Sequence, residues 1–330
     1  MTWNLKEFVN QHAEVRSACD SFHGTHVAIL LAHYNGGDML AEQLQSLSAQ
    51  THQDWSLIIS DDGSSDGWLD TATAFAKANP KRRVWLRHGP RRGYVQNFLS
   101  LVATAGPTVP YAAFCDQDDV WCPEKLEAAL TVLRRLPPEK PAVYCGRTTV
   151  VDCDLVPLHL SPLFTRSPSF RNALVQSIAG GNTMVLNRAA IDLLQDTMRH
   201  ADGVISHDWW VYQIVCGAGG TLIYDTEPHV LYRQHQNNLI GSNSGWTARI
   251  ARLKALLRGR FRDWTTANCA ALNRSRHWLT PDARETLFEF DAARSGPLLK
   301  RLFALKRSGV FRQSQRSQLA LWLATVLKKL

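Results

Sequence analysis

Apolar runs alternate with stretches of helical spacing along the first part of the chain. Residues 27–35 (VAILLAHYN) form a continuous apolar run closed by Gly36-Gly37, which predicts a buried strand. Met39, Leu40, Leu44 and Leu47 then recur at helical spacing, with Asp38 placed to cap them. Residues 55–60 predict a second buried strand that runs straight into Asp61-Asp62-Gly63-Ser64-Ser65-Asp66. A helix over about 68–78, a strand over 82–88, a helix over 94–105 and a strand over 111–115 follow. Strands that are apolar throughout are covered on both faces, so this alternation predicts an α/β fold around a mostly parallel sheet. Ligands of such sheets sit beyond the carboxyl ends of the strands. The acidic clusters at 61–66 and 116–119 both follow a strand directly, which predicts that they share one rim.

Past Leu136-Pro137-Pro138 the pattern is mixed. Residues 143–152 predict a strand or hairpin arm, 171–178 a helix, 183–186 a strand and 208–216 a helix. Late strands fall at 221–224 and 230–233, and from Trp246 the chain is helical, basic and rich in Leu. Residues 2–20 predict a short helix with Trp3, Leu5, Phe8 and Val9 on its apolar side.

Charge changes this picture. The net charge of the 330 residues is +8, but residues 1–245 carry 19 basic and 24 acidic groups, a net of −5. Residues 246–330 carry 18 basic and 5 acidic groups, a net of +13. Leu and Phe at helical spacing with Lys and Arg between them predict helices that lie on an anionic membrane. Solvated basic helices packed on the rest of the chain are the plainer alternative. No zinc-finger spacing, RNP motif or helix-turn-helix supports a nucleic-acid partner. No apolar run reaches membrane-spanning length. The odd count of seven cysteines, with no C-x-x-C pair, predicts free thiols in a reducing cytosol.

Several residues can carry chemistry. Asp116-Gln117-Asp118-Asp119 gathers three carboxylates at a strand end, where a hard cation such as Mg²⁺ or Mn²⁺ would neutralise them. Such an ion suits a diphosphate. The plain alternative is a solvated turn with Asp119 capping the helix near Pro123. Asp61 or Asp62 can accept the ring N–H of a pyrimidine, while Ser64, Ser65 or Asp66 can cap the next helix. His207-Asp208 precedes an apolar helix; Asp208 is either its cap or, beside Trp209 and Trp210, a general base. The two Trp rings can face a sugar, although core packing is the commoner use of Trp. Arg233 and His235 can reach a pyrophosphate or a metal, and Arg91-Arg92 form a basic turn.

The order of these motifs resembles inverting glycosyltransferases of family 2. The matching stretches include AHYNGGDMLAEQL, SDDGSSDGW, RRGYVQNF, FCDQDDVWCPEKLE, GGNTMVLNRAA, SHDWWVYQIV and LYRQHQNNLIGS, within about residues 26–243. CDQDDVW, HDWW and YRQHQNN together look most like the bacterial rhamnosyltransferase-like subgroup. The resemblance implies a GT-A fold, that is, a Rossmann-like mostly parallel sheet with flanking helices, to which composition and spacing add a basic α-helical C-terminal extension. It implies a catalytic domain at 26–245, and the hydrophobic pattern places an N-terminal helix ahead of it at 1–25. The nucleotide half would span about 26–122 and the acceptor half about 140–245, with the basic helical region at 246–330.

It further implies that Ala32, His33, Tyr34, Asp61, Asp62, Arg92, Asp116 and Gln117 bind the donor. Asp118, Asp116 and His235 would hold Mg²⁺ or Mn²⁺. Asp208 would deprotonate the acceptor hydroxyl. Gly180, Gly181 and Asn182 would line the acceptor side, and the chemistry of the residues themselves adds His207, Trp209, Trp210 and Arg233 to the acceptor and sugar pocket. Where relatives have the NxGxxxARN turn, this chain has Arg91 and Gln96, so Arg92 is the candidate there. The implied reaction moves L-rhamnose from dTDP-L-rhamnose to a bacterial cell-surface glycan or lipid-linked acceptor, with a UDP-hexose donor as the alternative. The implied location is the cytoplasmic face of the membrane, without a span. A non-catalytic nucleotide-sugar binding module is the rival of another class.

Overall fold

The computed structural model describes residues 22, 24–178, 180–235 and 259–330. The helix expected at 2–20, the boundary expected at 245/246 and the polar residues Gln236, Asn237 and Asn238 lie outside these residues.

A seven-stranded sheet forms the centre of the fold. Its parallel half is β1 (Val27–His33), β2 (Trp55–Asp61), β3 (Val84–His88) and β4 (Tyr111–Asp116). β6 (Ala142–Gly146), β9 (Val185–Asn187) and β10 (Thr221–Asp225) extend it, giving the order β10-β6-β9-β4-β1-β2-β3. β9 runs antiparallel to both of its neighbours. The continuous apolar runs follow from burial on both faces. Ala28 and Leu30 of β1 pack with Phe98 and Phe114 on one side, while Ile29 and Leu31 pack with Leu44 and Leu57 on the other. Each such buried side chain stabilises the fold by about 1.5–3 kcal/mol.

Helices cover the sheet. α1 (Met39–Ser48), α2 (Trp68–Ala78), α3 (Tyr94–Val102) and α4 (Lys125–Leu133) connect the parallel strands and follow β4. α5 (Phe170–Ala173), α6 (Arg188–Thr197) and α7 (His207–Gly217) belong to the second half. The helix expected over 171–178 stops at Ala173. Beyond it the backbone finds tertiary partners instead: Arg312 donates to the Val175 carbonyl at 2.9 Å.

The stretch 143–152 is neither one strand nor one hairpin. It divides at Arg147-Thr148 into β6 of the main sheet and β7 (Thr149–Val151) of a second sheet. That four-stranded sheet runs β5 (Val120–Trp121), β11 (Val230–Arg233), β7 and β8 (Pro157–Leu160). Its consequence is positional: β11 is brought beside the chain that leaves β4.

The C-terminal helices are α8 (Arg260–Arg274), α9 (Pro281–Arg294), α10 (Leu298–Ser308) and α11 (Gln315–Val326). Thr280 caps α9 ahead of Pro281, and Ser314 with Ser317 forms a capping box on α11. Leu272, Leu287, Phe290, Leu305 and Leu321 join the same core as Trp210 and Ile214 of α7. Among the described residues, no helix is long and apolar enough to cross a membrane. The six described cysteines are free thiols.

Candidate active site

The register of the parallel strands aligns the acidic motifs. His33 pairs with Asp61, Asp61 with His88, and Ala32 with Asp116, so both clusters sit on one rim at the strand ends.

On the β1–β2 side the carboxylates build the turns. Asp61 accepts from the Gly63 amide at 3.2 Å and from the Ser64 amide and hydroxyl. Asp62 accepts from the Arg91 and Gly93 amides at 2.6 and 2.7 Å, which fixes the basic turn after β3. Gly89 is required there, because a Cβ would lie 2.8 Å from both Asn97 Oδ1 and Asp62 Oδ1. Asp66 does not only cap α2 by accepting from Trp68; it also accepts from the Gly37 amide at 2.8 Å and lies 3.4 Å from His33 Nε2. Burial lowers the pKa of His33. Gln117 grips the Tyr34 backbone twice, accepting from its amide at 2.6 Å and donating to its carbonyl at 2.9 Å. The Tyr34 backbone is thereby fixed at the end of β1, with its side chain exposed. Arg92 extends to Asp202 at 3.1 Å, with both groups largely in solvent.

On the β4 side four residues diverge in role. Asp118 Oδ2 lies 2.8 Å from His235 Nε2, which β11 delivers to this loop. Asp119 does not cap a helix, because α4 starts only after Glu124. It is fully buried, accepting from Asn182 Nδ2 at 2.5 Å and from the Arg233 amide at 3.3 Å. Burial and the adjacent Asp118 push its pKa up to about 8. Asp116 is raised as well, by burial and then by Asp119, Asp118 and Asp208. This crowding is the condition that a bound cation relieves.

Arg233 corrects its expected place in the sugar pocket. Its guanidinium is buried and directed at the Asp118 carbonyl (3.0 Å), the Cys153 carbonyl (2.5 Å) and Glu42. It ties the loop after β4 to α1 and β7.

Asp119 also reaches the acceptor side. Asn182 belongs to the Gly180–Asn182 turn, and Gly181 is pressed onto the His207 ring so closely that a Cβ would collide with Nε2. His207 opens α7 and stacks on Phe98 at 4.0 Å, with Phe114 edge-on at 5.0 Å. The next residue, Asp208, is half-buried and accepts from the Trp209 amide at 2.6 Å. It lies in the first turn of α7, not at the cap, which is Ser206. The chain of contacts Asp119–Asn182–Gly181–His207 therefore fixes Asp208 relative to the β4 carboxylates. Tyr94 stands at the same place. Its hydroxyl, 3.3 Å from the Ile205 carbonyl, has its pKa pushed up to about 12 by burial and by the charges of Asp208 and Asp116.

Trp209 and Trp210 also depart from expectation. Trp210 is fully buried, while Trp209 donates to the Ala173 carbonyl at 2.6 Å and meets Trp264 of α8 edge-on. They are core side chains under α7. His207 likewise lies beneath the Gly181 turn, not in an open pocket.

The sequence pattern named Asp119 within the acidic cluster but not its buried pairing with Asn182, and it missed Tyr94 and Lys125. Lys125 is fully buried, with Nζ 3.1 Å from the centroid of Trp121 and no hydrogen-bond acceptor among the described residues. Burial pulls its pKa down to about 7, against the opposing charges of Cys115, Asp119 and Asp116. The available signal was its place on the apolar face of α4, with Leu126, Ala129, Leu130 and Leu133.

The buried His207 has a measurable consequence. Burial lowers its pKa to about 4 from the ordinary 6.5. The unfolded chain then binds more protons between these values, so stability falls as pH drops from about 6.5 to 4. The full window is on the order of 3 kcal/mol. His207→Gln removes this contribution, so urea unfolding at pH 7 and pH 4.5 will show a smaller pH loss than in the wild type. An equal loss would contradict the neutral buried ring.

Residues 28–193 match Glycosyl transferase family 2, and the chain belongs to that family. It is a glycosyltransferase of GT-A fold. It is 27% identical over 242 residues to dTDP-rhamnosyl transferase RfbG of Shigella flexneri, covering 68% of this chain and 78% of that protein. It is 26% identical over 169 residues to the putative teichuronic acid biosynthesis glycosyltransferase TuaG of Bacillus subtilis, covering 51% of this chain and 65% of that protein. The fold matches the crystal structure of S. aureus TarS 1–349 with a TM-score of 0.51 at 12% identity, over 86% of this chain and 90% of that one.

Proposed function

We propose that the chain transfers L-rhamnose from dTDP-L-rhamnose to a hydroxyl of a cell-surface glycan or lipid-linked acceptor by a single inverting displacement. The observation that carries this reading is that strand register sets Asp61 and Asp116 on one rim, while the Asp119–Asn182 hydrogen bond, the Gly181–His207 contact and the Phe114–His207 ring contact tie the start of α7, with Asp208, to β4. Rhamnose is chosen as the sugar because RfbG, 27% identical over 242 residues, is named a dTDP-rhamnosyl transferase.

The donor residues fall to the β1–β2 rim. Asp61 or Asp62 accepts from the pyrimidine, Ala32, His33 and Tyr34 line the nucleoside, and Gln117 holds Tyr34 in place. Arg92 is close enough in sequence to the Asp62-clamped turn to contact the nucleotide. The acceptor side falls to the Gly180–Asn182 turn. Asp208 takes the proton from the acceptor hydroxyl as its oxygen attacks the anomeric carbon. The bond to the diphosphate oxygen breaks on the opposite face, and its electron pair leaves with dTDP. A β-linked donor gives an α-rhamnoside.

Asp118 and His235 suit a divalent cation. Among the described residues, no three His, Cys, Asp or Glu side chains form a ready metal cage. Mg²⁺ and its like are often held by one or two carboxylates plus substrate phosphates, and this donor set fits that pattern. When bound, Mg²⁺ or Mn²⁺ offsets the charge of the leaving diphosphate. We place the enzyme on the inner face of the cytoplasmic membrane, bound through its basic C-terminal region, residues 246–330.

A nucleotide-release screen tests the donor. dTDP-L-rhamnose is expected to give the fastest release, above UDP-glucose and UDP-galactose. Preference for a UDP-hexose would overturn the rhamnose assignment while leaving the transferase reading in place.

A further inference from the structure

The C-terminal helices expose an apolar surface of unusual placement. α11 buries Leu321, Ala324 and Thr325 against α10 and the core. Its opposite face is also apolar. Leu319, Leu323, Val326 and Leu327 recur at i, i+4, i+7 and i+8, and all are exposed, Leu319 to 69%. A helix apolar on all sides is normally buried. On α10, Leu299 and Phe303 are spaced i, i+4 and are exposed to 70% and 67%. The ends of these stripes are basic: Arg316 and Lys328 flank that of α11, and Lys300 and Lys306 are exposed on α10. Residues 297–330 contain eight basic residues and no acidic one.

We infer that α10 and α11 form a docking face for an anionic lipid bilayer, with Leu299, Phe303, Leu319 and Leu323 entering the interface and the flanking Lys and Arg meeting lipid phosphates. This deepens the membrane reading above, which rests on the whole segment 246–330, by assigning it to one pair of helices. Charge favours this occupant over a second copy of the chain. Two such faces would bring Lys300, Lys306, Arg316 and Lys328 of each copy against the same four of the other, whereas Glu289, an acid beside α10, is already paired with Arg307. An anionic bilayer attracts them instead, and it also accepts the apolar side chains.

The test is flotation of the full-length chain with vesicles of phosphatidylethanolamine and phosphatidylglycerol, beside vesicles of phosphatidylcholine alone. The wild type floats with the anionic vesicles and not with the neutral ones. Leu319→Asp with Leu323→Asp lowers the bound fraction by about tenfold or more, because charge at the insertion face opposes entry. Both positions are exposed, so the melting temperature stays at the wild-type value. Arg316→Glu with Lys328→Glu is the second variant and also loses anionic binding. Unchanged flotation of both variants would overturn this assignment while leaving membrane binding elsewhere in 246–330 intact. A wild type that floats with neither vesicle would overturn the membrane reading itself. A wild-type dimer that the Leu variant converts to a monomer would give the face to a second copy. Release of dTDP in vesicle-free solution is read separately, so failure of docking is distinguishable from failure of the transferase reading.

Discussion

Asp208→Asn lowers sugar transfer by about 10²–10⁴-fold and leaves donor affinity near the wild-type value. The amide cannot take the proton of the acceptor hydroxyl, so the attacking oxygen must lose it to water. The loss corresponds to roughly 3–5 kcal/mol of transition-state stabilisation. The fold should tolerate the change. Asp208 is half-buried, and the hydrogen bond it accepts among the described residues, from the Trp209 amide, is equally available to an Asn oxygen. Donor binding is unaffected because the residues assigned to the donor lie on the β1–β2 rim and the loop after β4. Nucleotide release at saturating donor and acceptor checks this. Turnover within a few-fold of the wild type would remove Asp208 as the base.

Asp118→Asn, or chelation by EDTA, lowers turnover by about 10²–10³-fold, the range expected when several kcal/mol of charge stabilisation at a leaving diphosphate is lost. The two perturbations should not add. Chelation of the Asp118→Asn variant will cost little more than either alone, since both remove the same cation. His235 belongs to the same proposed site, since its Nε2 is held 2.8 Å from the Asp118 carboxylate. Full activity in EDTA would end the metal assignment of Asp118, Asp116 and His235.

The parallel half of the sheet was legible because its strands are covered on both faces, which forces Val, Ile and Leu into uninterrupted runs. The shared rim followed from that topology, and the register of His33, Asp61 and Asp116 agrees with it. The limits of the sequence are equally physical. HDWWVYQIV is apolar around the whole of α7, so periodicity could not tell which ring faced a ligand, and both Trp side chains are taken up by the core. Asp119 looks like a cap locally. Its true partners, Asn182 and the Arg233 amide, are 63 and 114 positions away. Arg233 looks like a phosphate ligand until β11 is seen to bury it against Glu42 and the Asp118 carbonyl. Short-range pattern identified the strands and the acids; long-range pairing decided which acids and cations remain open to a ligand.

The same distinction refines the donor side. Asp61 and Asp62 each accept at least two backbone amides, so they shape the rim as well as facing it. Replacing either would disturb a turn together with any base contact. Asp118 is the cleaner probe, since its recorded side-chain partner is His235 and part of its surface is open.

The most direct measurement is calorimetric titration of dTDP into the wild-type chain with Mn²⁺ and then with EDTA. The wild type is expected to bind dTDP in Mn²⁺ and to lose that binding, or weaken at least about tenfold, in EDTA, with Asp118→Asn weak in both conditions. Equal dTDP affinity in Mn²⁺ and EDTA, or no binding in either, would contradict this.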